Sequence, residues 1–592
     1  MSDSMFEIIK NTEEPETAGK AEKKQKSETT SKSEKSKDSS GSGTKTKPDD
    51  LSGPTPAPGK TTKQLNRIFG NITRWLIDIY VLFFLCIFAL CTHEKYFDVL
   101  KFRFEIYWKS TLIYGAVFLG LGLFYLLADT IYNKSAIRRG FFASLKKGGW
   151  KRYISKVDIA FFALIVIFGI STAFAQYPYE AFWGNRGRSQ GLFLWLVFFV
   201  TYILVTRFYR FKRWHIFAYM GFASLVCLWG ISNFFLYTWG MFEGADPIYR
   251  YTFVASIGNI NNYTNFTGML YGASAVMFVA GRNKAEILFS YVILVIASFA
   301  QIMGLSDNAI LSTATVIAFI PIFIWKSSSH IIRHGITIVT YLAAMKITSL
   351  ITQSGIETMN DLEPSTQIVL GGKSITVYLI LLLLIIVIAF TAYTRKTNSV
   401  NPSNEEKTVK QAKILWNIIL VCGVLITIAI LIAANTGWHP ELWESYKGML
   451  IFNDEWGTGR GLAWRLGMEY WINDSTLFTK LFGYGPDTYY IITMDRFMNI
   501  MQNAGYGIFD SAHNEYFEYF ITVGVFGLIA YIALMFTSLK QIFKSGEITV
   551  KAAGMAVLAY VIQAVVNIAI PITTPVFMLL IFVGLAGNRS EK

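Results

Sequence analysis

Apolar runs long enough to cross a lipid bilayer recur along most of this chain, and no other feature restricts its fold so severely. In hydrocarbon every backbone N–H and C=O must be satisfied within the protein, so runs of this length form helices. The runs lie at 73–91, 112–131, 157–175, 190–206, 214–234, 264–281, 285–303, 309–326, 331–352, 375–394, 412–434, 518–540, 548–567 and 570–587. They predict an all-α polytopic integral membrane protein with about fourteen transmembrane helices over residues 70–592. Pro571 and Pro575 mark the last run as kinked or re-entrant. The four cysteines (Cys86, Cys91, Cys227 and Cys422) all fall in apolar segments without CxxC spacing, which argues against disulfide scaffolds and zinc sites.

The connections sort by charge. Lys and Arg concentrate after even-numbered runs: Lys134 to Lys156, Arg207 to Arg213, Arg282 and Lys284, Lys326 and Arg333, Arg395 to Lys413, and Lys540 with Lys544. By the positive-inside rule these connections and both termini are cytoplasmic, in a multi-pass protein of the cell (plasma or inner) membrane. Residues 1–65 are rich in Lys, Glu, Ser, Thr and Pro and carry no apolar run. They read as a disordered cytoplasmic tail, without a cleavable signal peptide, whose lysines offer a tether to the inner lipid surface. The net charge of +14 is accordingly assigned to anionic membrane lipids and not to nucleic acid.

One stretch breaks the pattern. Residues 437–517 are polar, aromatic and glycine-punctuated, and the charge alternation places them as one large extracytoplasmic loop. Their Trp, Tyr and Phe residues can bury enough surface to fold. The same face receives the 183–191 segment with Arg186 and Arg188, the 258–262 segment with Asn259 and Asn261, and Ser306-Asp307-Asn308. An outward constellation of Arg, Asn, Asp and His beside the bilayer suits a lipid-linked client whose head group lies at that surface.

Arginine makes bidentate, permanently charged contacts to phosphate oxygens, so Arg186, Arg188, Arg460 and Arg465 suit a diphosphate. His513 precedes the twelfth run, next to Asn514, and an imidazole there can take a proton from an attacking hydroxyl. Trp464 and its aromatic neighbours can stack on sugar faces, and Asp487 can orient hydroxyls or pair with an arginine. The outward loops lack an acidic cluster with divalent-metal spacing, so the expectation is no metal and no cofactor, with arginines neutralising the leaving phosphate.

These residues carry a resemblance. Trp183-Gly184…Arg188…Gly191-Leu192 resembles the W-G-x-x-x-R-x-x-G-L element of the O-antigen ligase and polymerase superfamily of bacterial membrane glycosyltransferases. Gly258-Asn259-Ile260-Asn261, Gly459-Arg460…Trp464, the Gly483 to Pro486 turn and Ala512-His513-Asn514-Glu515-Tyr516 resemble its later elements, over residues 180–535 in all. The resemblance implies a GT-C-like, metal-independent enzyme acting on an undecaprenyl-diphosphate-linked glycan donor. The acceptor would be a second glycan, a lipid or a protein. It places His513 as the catalytic group and Arg188 and Arg460 on the diphosphate. Where the family often has S-R-G, this chain has Ser306-Asp307-Asn308, so one phosphate-binding arginine is absent from that position.

The competing class is a polytopic transporter or flippase of a lipid-linked or anionic solute. It predicts ionisable residues or broken helices near the bilayer midplane, whereas this chain has apolar helix centres and concentrates its polar groups outside. A non-catalytic scaffold would leave the order of the motifs unexplained.

Overall fold

The computed structural model describes residues 60–590, apart from 97, 145, 147–153, 186, 245–252, 362–364 and 401–403. The expected tail thus lies almost entirely outside the described residues, as does Arg186. The architecture is essentially all α. Each of the fourteen apolar runs overlaps a helix, but the run at 518–540 is not one continuous helix: it is broken at Val523. Among the described residues ten helices are long and apolar enough to cross a bilayer, which makes this a membrane protein. Three more, Leu192–Phe208, Ala309–Phe323 and Thr574–Arg589, are apolar but shorter.

The remaining helix, Ile260–Ala280, is the centre of the bundle, and every residue from Asn262 to Val279 is buried. It packs on Lys284–Met303, Ala309–Phe323 and Ile548–Gln563. Its interior departs from the expected apolar centres. Gln301 Nε2 donates to the Thr264 carbonyl (2.6 Å) and Thr267 Oγ1 (2.5 Å), Ser312 donates to Gln301 Oε1 (3.0 Å), and Gln563 Nε2 reaches Thr264 Oγ1 (3.2 Å). Amides and hydroxyls pair there, although Gln563 Oε1, Asn262 Oδ1 and Asn265 Oδ1 are buried without a partner, and neutral groups tolerate burial far better than a charge would. At the periphery, Ser374–Thr397 and Asn404–Asn435 leave nearly all their apolar residues facing outward.

The 437–517 stretch is not an irregular loop. It folds into helices Lys447–Leu450, Trp456–Asn473, Leu477–Phe482 and Tyr489–Asn503. Leu462, Leu466, Tyr489, Ile492, Phe497 and Met501 form a separate small apolar core under them. The aromatic content that argued against disorder is what fills this core.

The module is fastened to the bundle at a helix break. Helix Glu515–Thr522 ends at Val523, and Gly524–Phe543 starts at once with Gly524 at φ +75°. The break leaves the Thr522 carbonyl without a helical partner. Three donors from elsewhere occupy it: Tyr484 N (2.9 Å), Gly485 N (2.8 Å) and Ser171 Oγ (3.3 Å). Gly483, also in the left-handed region, lies so close that an added Cβ would meet the Thr522 oxygen at 2.2 Å.

Candidate active site

The 184–191 segment is built around a carboxylate from the far module. Asp487 Oδ2 accepts from Asn185 N (2.7 Å) and Gln190 N (2.9 Å), which wraps the segment around it. Gly184 adopts φ +87°, and a Cβ there would strike Gln190 N at 2.6 Å and Asp487 Oδ2 at 2.7 Å. The closed turn sets Arg188 on the wall of a recess, with 4% of its surface exposed. Burial pushes the Asp487 carboxyl up to about 6 against the two backbone donors and the Arg188 charge.

Arg188 grips Asp510 with two donors, Nη2 to Oδ1 at 2.6 Å and Nε to Oδ2 at 3.2 Å. Burial works to raise the Asp510 carboxyl, but the Arg188 charge and hydrogen bond, with His513, hold it below the usual range.

His513 follows a peptide pinned on both sides. Ala512 N donates to Glu518 Oε2 (2.8 Å), and the Ala512 carbonyl accepts from Trp464 Nε1 (2.7 Å). His513 then turns at φ +50°, with its Nε2 3.9 Å from Asp510 Oδ1 and 31% of its side chain exposed. Burial first, then the charges of Arg188 and Arg460, lower its pKa to about 3 against the opposing pull of Asp510. The imidazole is therefore neutral at physiological pH and free to accept a proton.

Arg460 enters from helix Trp456–Asn473, directly after a left-handed turn at Gly457 (φ 58°), Thr458 (φ 60°) and Gly459 (φ 92°). Its Nη1 donates to the Gly457 carbonyl (3.0 Å), its Nε is buried without a partner, and among the described residues it forms no ion pair. Burial lowers its pKa. A half-buried guanidinium with one backbone acceptor and no ion pair among the described residues favours an incoming anion.

The recess is completed by Gln190, Ser511, Asn514, Glu515, Glu518 and Asn567. Burial pushes Glu515 up to about 7 and Glu518 up to about 8, so both keep a proton to far higher pH than an exposed carboxyl. Gln190 Nε2, a donor, and Glu518 Oε1 and Asn567 Oδ1 are buried and have no hydrogen-bond partner in the protein. Across Arg188 and Ile568 the recess adjoins a cleft of about 350 Å³ lined by Tyr96, Leu100, Ile257, Asn259, Asn262 and Ile570 among others. Asp510, the acid that pairs with Arg188, lines this cleft as well.

The remaining expected residues divide. Asn514 lines the recess while capping helix Glu515–Thr522, accepting from Tyr516 N and Phe517 N (both 3.0 Å). Trp464 stacks near Trp456 at 4.9 Å and holds the Ala512 peptide, a supporting position. Asn259 caps Ile260–Ala280 and lines the cleft. Asn261 is a structural hub: its Oδ1 accepts from Ser306 (2.6 Å) and Asn308 (3.0 Å), and its carbonyl from Asn567 (3.1 Å). Arg465 is not brought to the recess. Asp454 holds it with two 2.8 Å bonds on an exposed face. Asp307 accepts from Thr366 N (3.1 Å) and Thr366 Oγ1 (2.7 Å), so the position lacking an arginine anchors the start of the neighbouring Thr366–Gly372 helix.

Asp510 and Glu518 escaped sequence reasoning, and Glu515 was noted only as a neighbour of His513. Glu515 and Glu518 are three apart and share a helical face, which is a legible signal. The same spacing also fits acids at a helix start. Among the described residues one His/acid cluster has metal-compatible spacing, His93, Glu94 and Asp98, with donor atoms within 4.8 Å of one another. It lies in an exposed connection outside the recess lining. Compared with protein-family models and with curated proteins, the chain matches none.

Proposed function

We propose that this protein is a membrane glycosyltransferase that moves a glycan from an undecaprenyl-diphosphate carrier to an acceptor hydroxyl outside the cytoplasm. The observation that carries the reading is Arg460, a half-buried cation that forms no ion pair among the described residues, beside a histidine kept neutral. The donor diphosphate is held by Arg460 and by Arg188 once Asp510 yields it. The acceptor oxygen attacks the anomeric carbon. The bond from that carbon to the phosphate oxygen breaks, and its electron pair leaves with the diphosphate. The hydroxyl proton passes to His513. The diphosphate's negative charge offsets the two arginines that depress His513, so donor binding strengthens the base. Glu515, Glu518, Gln190 and Asn567 supply donors and acceptors for sugar hydroxyls.

The test uses purified protein, an undecaprenyl-diphosphate glycan and an acceptor, with EDTA present, and scores free undecaprenyl diphosphate. His513→Ala and Arg460→Ala are each expected to cut release by about a hundredfold or more while leaving the protein in the membrane. Absence of release from the wild type with every acceptor overturns the reading. Uptake of the intact donor into vesicles without bond cleavage replaces it with a transporter.

A further inference from the structure

At the opposite end of the bundle from His513, the carboxylates are already spoken for. Asp158 takes Arg207 (2.5 Å), Arg589 (3.4 Å) and the Tyr202 hydroxyl (2.6 Å). Glu547 is held by Arg213 and by Arg282 (2.5 Å), Glu286 takes Arg213 (2.8 Å), and Asp78 takes Lys212. Between helices Lys156–Ala173, Gly524–Phe543 and Thr574–Ser590 this end opens a cleft of about 520 Å³. Its lining is Lys156, Lys540, Lys544, Gln541, Thr537, Phe536 and Asn588. All three lysines are exposed, and among the described residues none forms an ion pair.

The cleft continues into apolar surface. Phe536 is 62% exposed, and Phe526, Ile529 and Ile532 are exposed at helical spacing on the same helix. Helix Lys156–Ala173 exposes Ile159, Phe162 and Val166 in the same way. Cations without ion pairs, Lys540 among them over the Phe536 ring at 5.5 Å, and amides beside apolar stripes present the two halves of a phospholipid: the lysines meet phosphate oxygens, and the stripes meet acyl chains. A free phosphate would use only the first half.

We propose that the Lys156–Lys540–Lys544 cleft binds the head group of an anionic phospholipid. The site is separate from the recess and does not depend on the reaction assigned there.

Full-length protein in detergent is titrated with dihexanoyl-phosphatidylglycerol, dihexanoyl-phosphatidylcholine and inorganic phosphate, following tryptophan fluorescence. Phosphatidylglycerol is expected to saturate at roughly tenfold lower concentration than either alternative. A Lys156→Gln, Lys540→Gln, Lys544→Gln triple variant loses that preference. A control with Lys326, Lys407 and Lys410 changed to Gln keeps it, as does a Lys→Arg triple variant in the cleft. Equal loss in the control, loss in the Lys→Arg variant, or retention in the Lys→Gln variant overturns the proposal. Phosphate binding as tight as phosphatidylglycerol overturns the lipid assignment and leaves a soluble anion as ligand.

Discussion

Asp510 is the residue that decides what Arg188 can do. Both guanidinium edges in use face its carboxylate, so an incoming phosphate competes with an internal anion. Asp510→Asn weakens that competitor, and inorganic pyrophosphate is expected to bind the variant about two- to fivefold more tightly, checked by isothermal titration. Weaker binding would mean that Asp510 positions Arg188. Glu518 makes a second test. Its folded pKa of about 8 lies above the ordinary value of 4.5, so the folded state holds the proton longer than the unfolded chain. Stability from this group is complete below about pH 4.5 and is lost as pH rises through 8. Glu518→Gln removes that loss, so its thermal midpoint should exceed the wild type's at pH 8 and match it at pH 5. His513 acts in the opposite sense. Its depressed pKa removes stability as pH falls from 6.5 toward 3, which confines this test to the alkaline side.

The helix break at Val523 and the turn at Gly483 hold each other, and neither element explains itself alone. Gly483→Ala adds a Cβ to a left-handed residue facing the Thr522 carbonyl, where no shift of a side chain can make room. The expected cost is on the order of 3 kcal/mol, seen as a lowered thermal midpoint together with lost activity. Elements of this kind were partly legible in the chain. Long apolar runs announced every bundle helix, because hydrocarbon leaves the backbone no other solution. The glycines and arginines of the motifs were visible as well, and Arg188, Arg460, Asp487, His513 and Asn514 meet in or beside one recess. What could not be read were long-range pairings. Asp487 reads as a group for substrate hydroxyls or for pairing with an arginine, but its backbone partners Asn185 and Gln190 stand about 300 residues away. Asp510 reads as a solvated acid until the fold sets Arg188 against it. Arg465 suits a diphosphate by residue type, but Asp454, eleven residues upstream, claims it.

Over the whole molecule the two ends differ in how their charge is used. One end ties its carboxylates into arginine and lysine pairs that staple helices together. The other leaves Arg460 without an acid beside a neutral histidine. The proposed function requires that second end to face outward. In a variant lacking the four native cysteines, Asn503→Cys in intact cells should react with a membrane-impermeant maleimide, and Lys407→Cys only after permeabilisation. The reverse pattern would place the recess in the cytoplasm and exclude an outward transferase. The triple-occupied Thr522 carbonyl matters at this scale too. It joins the 483–486 turn, which leads directly into Asp487, to the head of a 20-residue membrane helix. Packing against neighbouring helices and interfacial anchors set the tilt of such a helix. The joint therefore makes the carboxylate that shapes the Arg188 turn share its anchorage with the head of a membrane helix.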